Sequence, residues 1–328
     1  YVSPDGDDSN SGSLPKPFKT IQRAQAEVKK YSDQMENDVH VFLRGGIYRL
    51  EEPLVFTAKD GGSNDHHVIY SAYKDEKPQI SGGEIIENWK VTSDGLWVAK
   101  YNGPYFRQLY VNDERRVRAR EPNKGEYFRV IDYDFKHKEI LAHRGDVSSI
   151  SSEDLNTLEM ILQMHWAESI LRVQSIGVYG PYNVKNANVV IHPDDAQIIF
   201  NRPHPGHRAG QSYHLENALS FLDQPGEWFL DHEEGLIYYK PFEHETLVNA
   251  RVIAPTIENL VVISGERDEP LQNLVFQGIH FMHSNWNRPG HDTYSNIQAG
   301  FFILRTDSAN NNTVLRPPSA VHVTWAQN

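Results

Sequence analysis

The chain has 328 residues, of which 39% are hydrophobic and 11% aromatic, so it is long enough to bury a core and to hold two domains. Its formal net charge of -12 argues against nucleic acid and anionic membrane as partners, because a phosphate backbone must be neutralised by clustered Lys and Arg. No apolar run approaches the roughly 18 to 20 residues of a membrane span. The sequence has no cysteine, which excludes disulfides, thiolate metal sites and cysteine nucleophiles.

The N-terminal segment predicts a polar loop followed by an amphipathic helix. Ile21, Ala24, Val28 and Tyr31 recur at three- and four-residue steps, which places them on one apolar stripe. A helix of this kind is expected to cap the open end of a solenoid. The preceding loop, Asp5–Asn10, is a candidate calcium site, because Ca²⁺ binds clustered carboxylate and carbonyl oxygens. We prefer the alternative, an Asx-turn loop whose side chains bond their own backbone.

Short β-branched runs punctuated by Gly and Asn predict the coils of a parallel β-solenoid. The early strands are Val39–Leu43, Leu54–Phe56, His67–Ala72 and Gln79-Ile80, and the Gly pairs beside them are Gly45-Gly46, Gly61-Gly62 and Gly82-Gly83. Each Gly pair is expected to supply the positive-φ corner of a sharp turn. The pattern returns at Leu260–Ile263, Leu274–Phe276 and Ser319–Trp325. We expect the coils to continue beyond Asn328.

Between about Trp89 and Ile253 the strands become longer and carry hairpin signals. They are Phe106–Val111, Arg116–Arg120, Phe128–Asp132, Glu139–Ala142, Glu159–His165, Ser169–Ile176, Asn188–Ile191, Gln197–Phe200, Trp228–Leu230 and Leu236–Tyr239. Many short strands joined by tight turns predict an antiparallel β-sandwich. The expected domains are a cap with the first coils (1–88), an inserted sandwich (89–256) and further coils (257–328). The predicted fold class is therefore all-β.

Three stretches carry a resemblance to a known family. The opening Val2–Asp8 with Pro17–Ile21 resembles the entry segment of right-handed parallel β-helix enzymes that act on polysaccharides. Together with Phe106–Asn112 and Tyr213–Pro241, it resembles the sandwich-inserted β-helix glycoside hydrolases of family 141, grouped with α-L-fucosidases and xylanases. The resemblance implies a right-handed β-helix and glycosidase activity on plant cell-wall glycans. It also implies an acidic catalytic pair on central coils, which we expect beyond Asn328, so no catalytic residue is assigned.

The loop Phe281–Ser295 contains the best candidates for contact with a sugar. Its Trp286 offers a flat ring for stacking, while His283, His291 and Asp292 offer donors and an acceptor for hydroxyl groups. Loops on a rigid scaffold commonly carry function. The alternative is a solvated loop whose Trp packs on the inserted domain.

Other polar positions allow both a functional and a structural interpretation. On the last strand His322 points away from the face of Val321, Val323 and Trp325, so it is a candidate for the border of a cleft. The run Arg115–Arg120 can recognise an acidic sugar, but pairing with local acids is the preferred interpretation. We interpret Glu216 and Asn217 as structural residues that bond across the interface between sandwich and solenoid.

Three functions fit these patterns. The leading one is a glycoside hydrolase of α-L-fucosidase or xylanase type, with an oligosaccharide or polysaccharide substrate and no required cofactor. The alternatives are a polysaccharide lyase of β-helix fold, which needs a base and a cation beside a uronate, and a non-catalytic carbohydrate-binding protein. The absence of cysteine favours a periplasmic or extracellular location, and we expect a secreted bacterial protein.

Overall fold

The structure is a computed structural model that describes residues 1–178, 185–201, 206–286, 288–308 and 311–327. Its α-helices are α1 (Ile21–Val28) and α2 (Pro193–Asn201), and short 3₁₀ turns lie at Ser32–Gln34, Ala58–Asp60, Arg144–Val147, Asp154–Asn156, Leu219–Phe221 and Gln298–Gly300. The chain is otherwise mostly β, as predicted. No helix in the described ranges is long and apolar enough to cross a membrane.

The strands are numbered in chain order. The first are β1 (Val39–Leu43), β2 (Gly46–Arg49), β3 (Leu54–Thr57), β4 (Val68–Ala72), β5 (Pro78–Ser81) and β6 (Gly83–Ile85). The middle part contains β7 (Lys90–Val91), β8 (Trp97–Lys100), β9 (Tyr110–Val111), β10 (Glu114–Arg115), β11 (Val117–Arg118), β12 (Arg120–Glu121), β13 (Phe128–Arg129), β14 (Asp132–Asp134), β15 (Glu139–His143), β16 (Glu159–Gln163), β17 (Glu168–Val178), β18 (Asn186–Ile191), β19 (Ser212–Glu216), β20 (Glu227–Asp231) and β21 (Leu236–Tyr239). The last are β22 (Val252–Pro255), β23 (Val261–Ser264), β24 (Leu271–Gln272), β25 (Leu274–Gln277), β26 (His280–Met282), β27 (Tyr294–Asn296), β28 (Phe302–Ser308), β29 (Asn311–Leu315), β30 (Val321–Thr324) and β31 (Ala326–Gln327).

The chain divides into two compact units. The first comprises Tyr1–Glu84, Ile253–Asn285 and Pro318–Asn328, and the second comprises Ile85–Val252 and Trp286–Pro317. The second unit thus includes Trp286–Pro317, which the sequence predicts as part of the later coils. The predicted domain boundaries remain a proposal.

The first unit is built from parallel strands of distant sequence. Its sheets have the orders β1-β4-β25, β2-β5-β26 and β3-β23-β30, and all of their pairings are parallel. Phe56, Tyr70 and Phe276 meet between two of these sheets, with ring centroids 5.3 to 5.5 Å apart. Because Phe56 and Tyr70 are fully buried, this aromatic contact forms part of the core of the unit.

Helix α1 begins where the sequence predicted. The Thr20 side chain caps it by accepting a hydrogen bond from the backbone N–H of Arg23 at 3.1 Å. Ile21, Ala24 and Val28 are buried, as the apolar stripe required. Tyr31 lies beyond the end of the helix and is exposed, so it is not part of that stripe.

The expected role of the glycine pairs was largely wrong. Of the six glycines, Gly46 alone has a positive φ, of 127°. Several of the others are needed because another backbone lies too close for a side chain. A Cβ on Gly61 would lie 2.2 Å from the Gln272 carbonyl oxygen, and one on Gly62 would lie 1.9 Å from that of His66.

The last strand of the first unit also differs from expectation. Val323 and Trp325, predicted to face the core, are 52% and 57% exposed. Within the described residues β30 is the edge strand of its sheet, and Trp325 lies beyond the end of β30 with a φ of 50°.

The second unit contains a five-stranded sheet of order β11-β20-β21-β8-β7 and an eleven-stranded sheet. The central path of the larger sheet is β12-β19-β16-β17-β18-β15-β14. Its pairings are antiparallel, whereas β11 and β20 are parallel, so the sheets are mixed in direction. The predicted hairpin of β20 and β21 is confirmed, with Trp228 opposite Tyr239.

Strands from a later part of the sequence extend the larger sheet. Strand β27 pairs with β17, so that Ser295 lies opposite Ser169, and β28 and β29 follow it in antiparallel order. The hydroxyl oxygens of Ser169 and Ser295 are 2.8 Å apart in a buried hydrogen bond. Strands β27, β28 and β29 are therefore part of the larger sheet of the second unit.

One predicted strand is a helix. Gln197–Phe200 lies within α2, which begins at Pro193 and carries Asp194 and Asp195 in its first turn. Proline at the first helical position and acidic residues beside it are both typical of a helix start. The period of the buried residues, with Ala196, Ile199 and Phe200 all facing the core, is that of a helix.

Candidate functional site

One buried and one largely buried carboxylate face each other in the larger sheet of the second unit. Glu159, at the start of β16, is paired in register with Glu216, at the end of β19. Like charges directly opposite each other destabilise a sheet unless cations neutralise them. Arg107 and Arg118 supply that charge, and we call these four side chains the ion-pair cluster.

Each arginine of the ion-pair cluster bridges both carboxylates. The Arg107 guanidinium lies 2.6 Å from a Glu159 oxygen and 2.8 Å from a Glu216 oxygen. The Arg118 guanidinium lies 2.8 Å and 3.2 Å from oxygens of the same two residues, and it also donates to the Tyr105 hydroxyl. Because three of the four side chains are at most 8% exposed, the charges are shielded from water and depend on one another.

A short segment, Arg288–Asp292, passes over the ion-pair cluster. Its carbonyl oxygens at Pro289 and His291 accept hydrogen bonds from Arg107 at 3.1 Å and Arg172 at 2.9 Å. Gly290 has a φ of 95°, and a Cβ there would lie 2.4 Å from a Glu159 oxygen and 2.9 Å from an Arg107 nitrogen. Only glycine allows the backbone to lie this close to the charged groups.

A cavity of about 640 Å³, which we call cavity A, opens on one side of the cluster. Trp286 and Tyr294 contribute aromatic rings to its lining, and Glu168, His214 and Glu216 contribute polar groups. The volume lies in the range of roughly 300 to 1,000 Å³ that is typical of small-molecule sites. Aromatic rings beside a few polar groups are the composition that such sites commonly have.

Trp286 is both a lining residue and a packing residue. Its ring meets Tyr294 edge to face at a centroid distance of 5.1 Å and meets the buried Phe302 at 5.6 Å. The ring is half-buried and so retains exposed surface at cavity A. The packing of this Trp on the second unit is therefore observed, while its stacking on a sugar stays a prediction.

A second cavity of about 430 Å³, cavity B, is lined by Glu159, Gly290 and a group of aromatic side chains. Tyr105 and His291 meet edge to face at 4.3 Å, and His232 lies 6.2 Å from His291. Burial and the neighbouring His232 lower the pKa of His291, which keeps its imidazole neutral near pH 7. The described residues contain no group of three His, Cys, Asp or Glu placed to hold a metal ion.

Electrostatics fix the protonation state of Glu216. Burial by itself raises the pKa of this carboxyl, but the hydrogen bond from His214 and the charges of Arg107 and Arg118 outweigh burial and bring the pKa well below its usual range. These contacts therefore favour the ionised form of Glu216.

The five predicted substrate-binding residues are divided between the two units. Trp286, His291 and Asp292 belong to the second unit, where Trp286 lines cavity A and His291 lines cavity B. Asp292 is exposed and lies 3.5 Å from Arg288. His283 and His322 belong to the first unit.

The two histidines of the first unit differ in environment. His283 is 3% exposed, has a φ of 59°, and its Nδ1 lies 2.9 Å from the Ser81 hydroxyl. It is a buried corner residue rather than part of an exposed polar loop. His322 is exposed on β30, opposite Val262 of β23.

Two arginines of the run pair with local acids, as preferred from the sequence. Arg116 binds Glu114 and Glu245 at 2.8 and 2.6 Å, and Arg118 belongs to the ion-pair cluster. Arg120 instead donates to the carbonyl oxygens of Pro122 and Glu126.

Glu216 and Asn217 were predicted to bond across the domain interface, but their partners lie within the second unit. Asn217 donates to the Thr157 carbonyl oxygen at 2.8 Å, while Glu216 binds the arginines of the cluster. The ion-pair cluster itself was missed in the sequence. The signal available in the sequence was that the four charged residues of the cluster stand on or beside strands that are otherwise apolar.

The oxygens of the N-terminal loop are used by the protein itself. Asp8 accepts hydrogen bonds from the backbone of Lys19 and Thr20 at 2.8 Å each, and Asp7 accepts from the backbone of Ser9 at 2.8 Å. Asn10 donates to the Pro17 carbonyl oxygen. The Asp7–Ser9 bond is that of the preferred turn interpretation, whereas Asp8 and Asn10 bond to backbone groups near the start of α1. These bonds engage carboxylates that a calcium ion would require.

Residues 94–242 match the family model of the GH141 insertion domain. The chain is similar in structure to a protein titled "Glycoside hydrolase", with a TM-score of 0.90 and 28% sequence identity over 99% of this chain and 59% of that one. It thus spans less than two thirds of that relative. A second structure, titled "The complex structure of XylC with xylose", has a TM-score of 0.38 at 16% identity over 86% of this chain and 35% of that one, and it carries no argument. No curated protein matches the chain.

Proposed function

We propose that this chain is part of a glycoside hydrolase that acts on plant cell-wall polysaccharide or its oligosaccharides, of α-L-fucosidase or xylanase type. The observation that carries the proposal is the match of residues 94–242 to the GH141 insertion domain. The similarity of 99% of the chain to a protein titled "Glycoside hydrolase" supports it.

We further propose that the parallel sheets of the first unit are coils of a right-handed β-helix, and that the second unit is the inserted sandwich. Support comes from the way that strands distant in sequence pair in parallel, so that β4 lies between β1 and β25. The same arrangement recurs in the sheets β2-β5-β26 and β3-β23-β30. A solenoid in which each coil adds one strand to each sheet has this pairing pattern.

A glycosidase needs a protonated and an ionised carboxyl group on the two sides of the scissile bond. We assign this pair to no described residue of the chain. Of the predicted substrate-binding residues, Trp286 has the best support because it lines cavity A. His283, His291, Asp292 and His322 stay predictions. A substrate too large to cross a membrane favours a periplasmic or extracellular location.

Hydrolysis is tested by incubating the purified protein with fucosylated oligosaccharides and with xylan. Release of fucose or of xylo-oligosaccharides with new reducing ends supports a hydrolase and identifies its type. Products with an unsaturated uronate at the new non-reducing end indicate the alternative, a polysaccharide lyase. Binding of these glycans without any product favours a carbohydrate-binding protein.

A further inference from the structure

We propose that cavity A binds a uronate, that is, an acidic sugar residue of a polysaccharide, through the carboxylate of that residue. That the ligand is a sugar rests on the proposed function, whereas its negative charge follows from the lining of the cavity. All described residues of the lining belong to the second unit. The proposed function thereby gains a preference for acidic over neutral glycans.

Cationic side chains predominate in the lining of cavity A. The described lining residues include two glutamates, Glu168 and Glu216, and six arginines or lysines. The six are Arg107, Arg115, Arg116, Arg118, Arg120 and Lys124. The whole chain has a formal net charge of -12, so this positive charge is a local feature of the cavity. A concave surface lined by one sign of charge attracts ligands of the opposite sign.

Glutamates neutralise only half of these cations. The paired ones are Arg107, Arg116 and Arg118. The other three form no ion pair with a described carboxylate, and they are Arg115, Arg120 and Lys124. Arg120 donates to carbonyl oxygens, which leave its charge uncompensated. Glu168 accepts a hydrogen bond from the neutral Gln163 side chain, so one carboxylate stands against three unpaired cations.

Three buried N–H groups of the lining have no hydrogen-bond acceptor among the described residues. They are Nε–H of Arg116, Nε–H of Arg118 and Nε1–H of Trp286. The terminal nitrogens of both guanidinium groups are already bonded to glutamates or to Tyr105. A buried donor without an acceptor is unfavourable. A carboxylate only accepts hydrogen bonds and can accept several at once, so it suits such a set of donors.

Other groups of the lining suit the ring of the sugar. A pyranose presents apolar C–H faces that pack on flat aromatic rings, and Trp286 and Tyr294 supply such rings. The buried Oε1 atom of Gln108 has no donor among the described residues and can accept from a sugar hydroxyl. An inorganic anion uses neither the rings nor this acceptor. The lining therefore favours a uronate over a small inorganic anion.

Most of the cations come from one extended segment. Arg116, Arg118 and Arg120 recur at every second residue along β11 and β12, which is the spacing of one face of an extended chain. Strand β11 pairs with β20, and β12 pairs with β19, so the segment is held on both sheets of the second unit. A preorganised site loses little conformational entropy when a ligand binds.

The test measures binding to the purified protein by isothermal titration calorimetry. The probes are hexagalacturonate, its fully methyl-esterified and therefore neutral form, and tripolyphosphate, which is a polyanion without a sugar ring. We expect hexagalacturonate to bind at least about tenfold more tightly than either of the other two. Its Kd should rise with NaCl concentration, because salt screens the exposed cations.

A double variant, Arg115→Gln with Lys124→Gln, removes two exposed cations of the lining that have no described ion pair. Its control, Lys100→Gln with Lys136→Gln, makes the same change in net charge at exposed lysines of the second unit outside the lining. We expect the Kd for hexagalacturonate to rise by about tenfold in the first and by less than about twofold in the second. Trp286→Phe keeps an aromatic ring but removes the donor, and it should raise the Kd by about threefold or more.

The inference is overturned if hexagalacturonate does not bind, if its methyl ester or tripolyphosphate binds as tightly, or if the two double variants raise the Kd equally. The comparison of acid with ester needs no variant, so it judges the site even where a substitution lowers the Tm. Absence of turnover on the glycans named above would refute the proposed hydrolase, whereas the binding of acid over ester judges cavity A by itself.

Discussion

Replacing Glu159 by Gln is the sharpest probe of the ion-pair cluster. The substitution keeps the size of the side chain but removes one of two carboxylates that neutralise Arg107 and Arg118. Because Glu159 is 3% exposed and both arginines are at most 8% exposed, water cannot replace the lost charge. Breaking a buried pair in this way costs about 3 to 5 kcal/mol.

The matched control is Glu114→Gln. Glu114 also binds an arginine, with its oxygen 2.8 Å from Arg116, but its side chain is 75% exposed. Exposed ion pairs contribute about 0 to 1 kcal/mol. The two variants therefore make the same chemical change and differ in burial.

The assay is urea and thermal unfolding of the purified protein, followed by circular dichroism. For a unit of about 200 residues, 1 kcal/mol shifts the Tm by about 2 to 4 °C, so Glu159→Gln should lower the Tm by on the order of 10 °C. Glu114→Gln should lower it by about 4 °C or less. If Glu159→Gln is no more destabilising than Glu114→Gln, the cluster does not stabilise the second unit through its buried charges.

Three further outcomes are expected. In urea unfolding, Gly290→Ala should destabilise the protein by about 1 kcal/mol or more beyond the effect of Gly125→Ala. Both glycines have φ near 95°, but a Cβ on Gly125 would meet nothing within 4 Å. Equal effects of the two substitutions would contradict the close approach at Gly290. Burial raises the pKa of Glu227 to about 7, above its unfolded value, so the folded state binds the proton more tightly. The free energy of unfolding should therefore fall by at most about 3 kcal/mol as the pH rises from about 4.5 to 7. Glu227→Gln should flatten this dependence on pH, and an unchanged slope would argue against the raised pKa. Asp8→Ala should lower the free energy of unfolding by about 1 to 3 kcal/mol, since two backbone N–H groups and the Thr20 hydroxyl lose their acceptor. Neither CaCl₂ nor EDTA should shift the wild-type Tm, and a calcium-dependent Tm would show that the loop binds the ion.

Local pattern was sufficient for much of the secondary structure. Period-two alternation predicted β1, β4 and the β20–β21 hairpin, and three- and four-residue steps predicted α1, because these signals depend on neighbours in the sequence. The same reasoning failed at Gln197–Phe200, where four residues are too few to distinguish a buried strand from a buried helix. The start signal at Pro193 was the information that separates them.

The candidate site depended on contacts that no local pattern contains. Arg107, Glu159 and Glu216 are separated by more than fifty residues at each step, and they meet because β16 and β19 pair in a register that sets the two carboxylates opposite each other. Trp286 was singled out from its residue type and its polar loop, but its membership of the second unit follows from the pairing of β27 with β17. Residue types thus limited which side chains can bind a sugar, whereas long-range strand pairing decided which of them share a cavity and which charges neutralise one another.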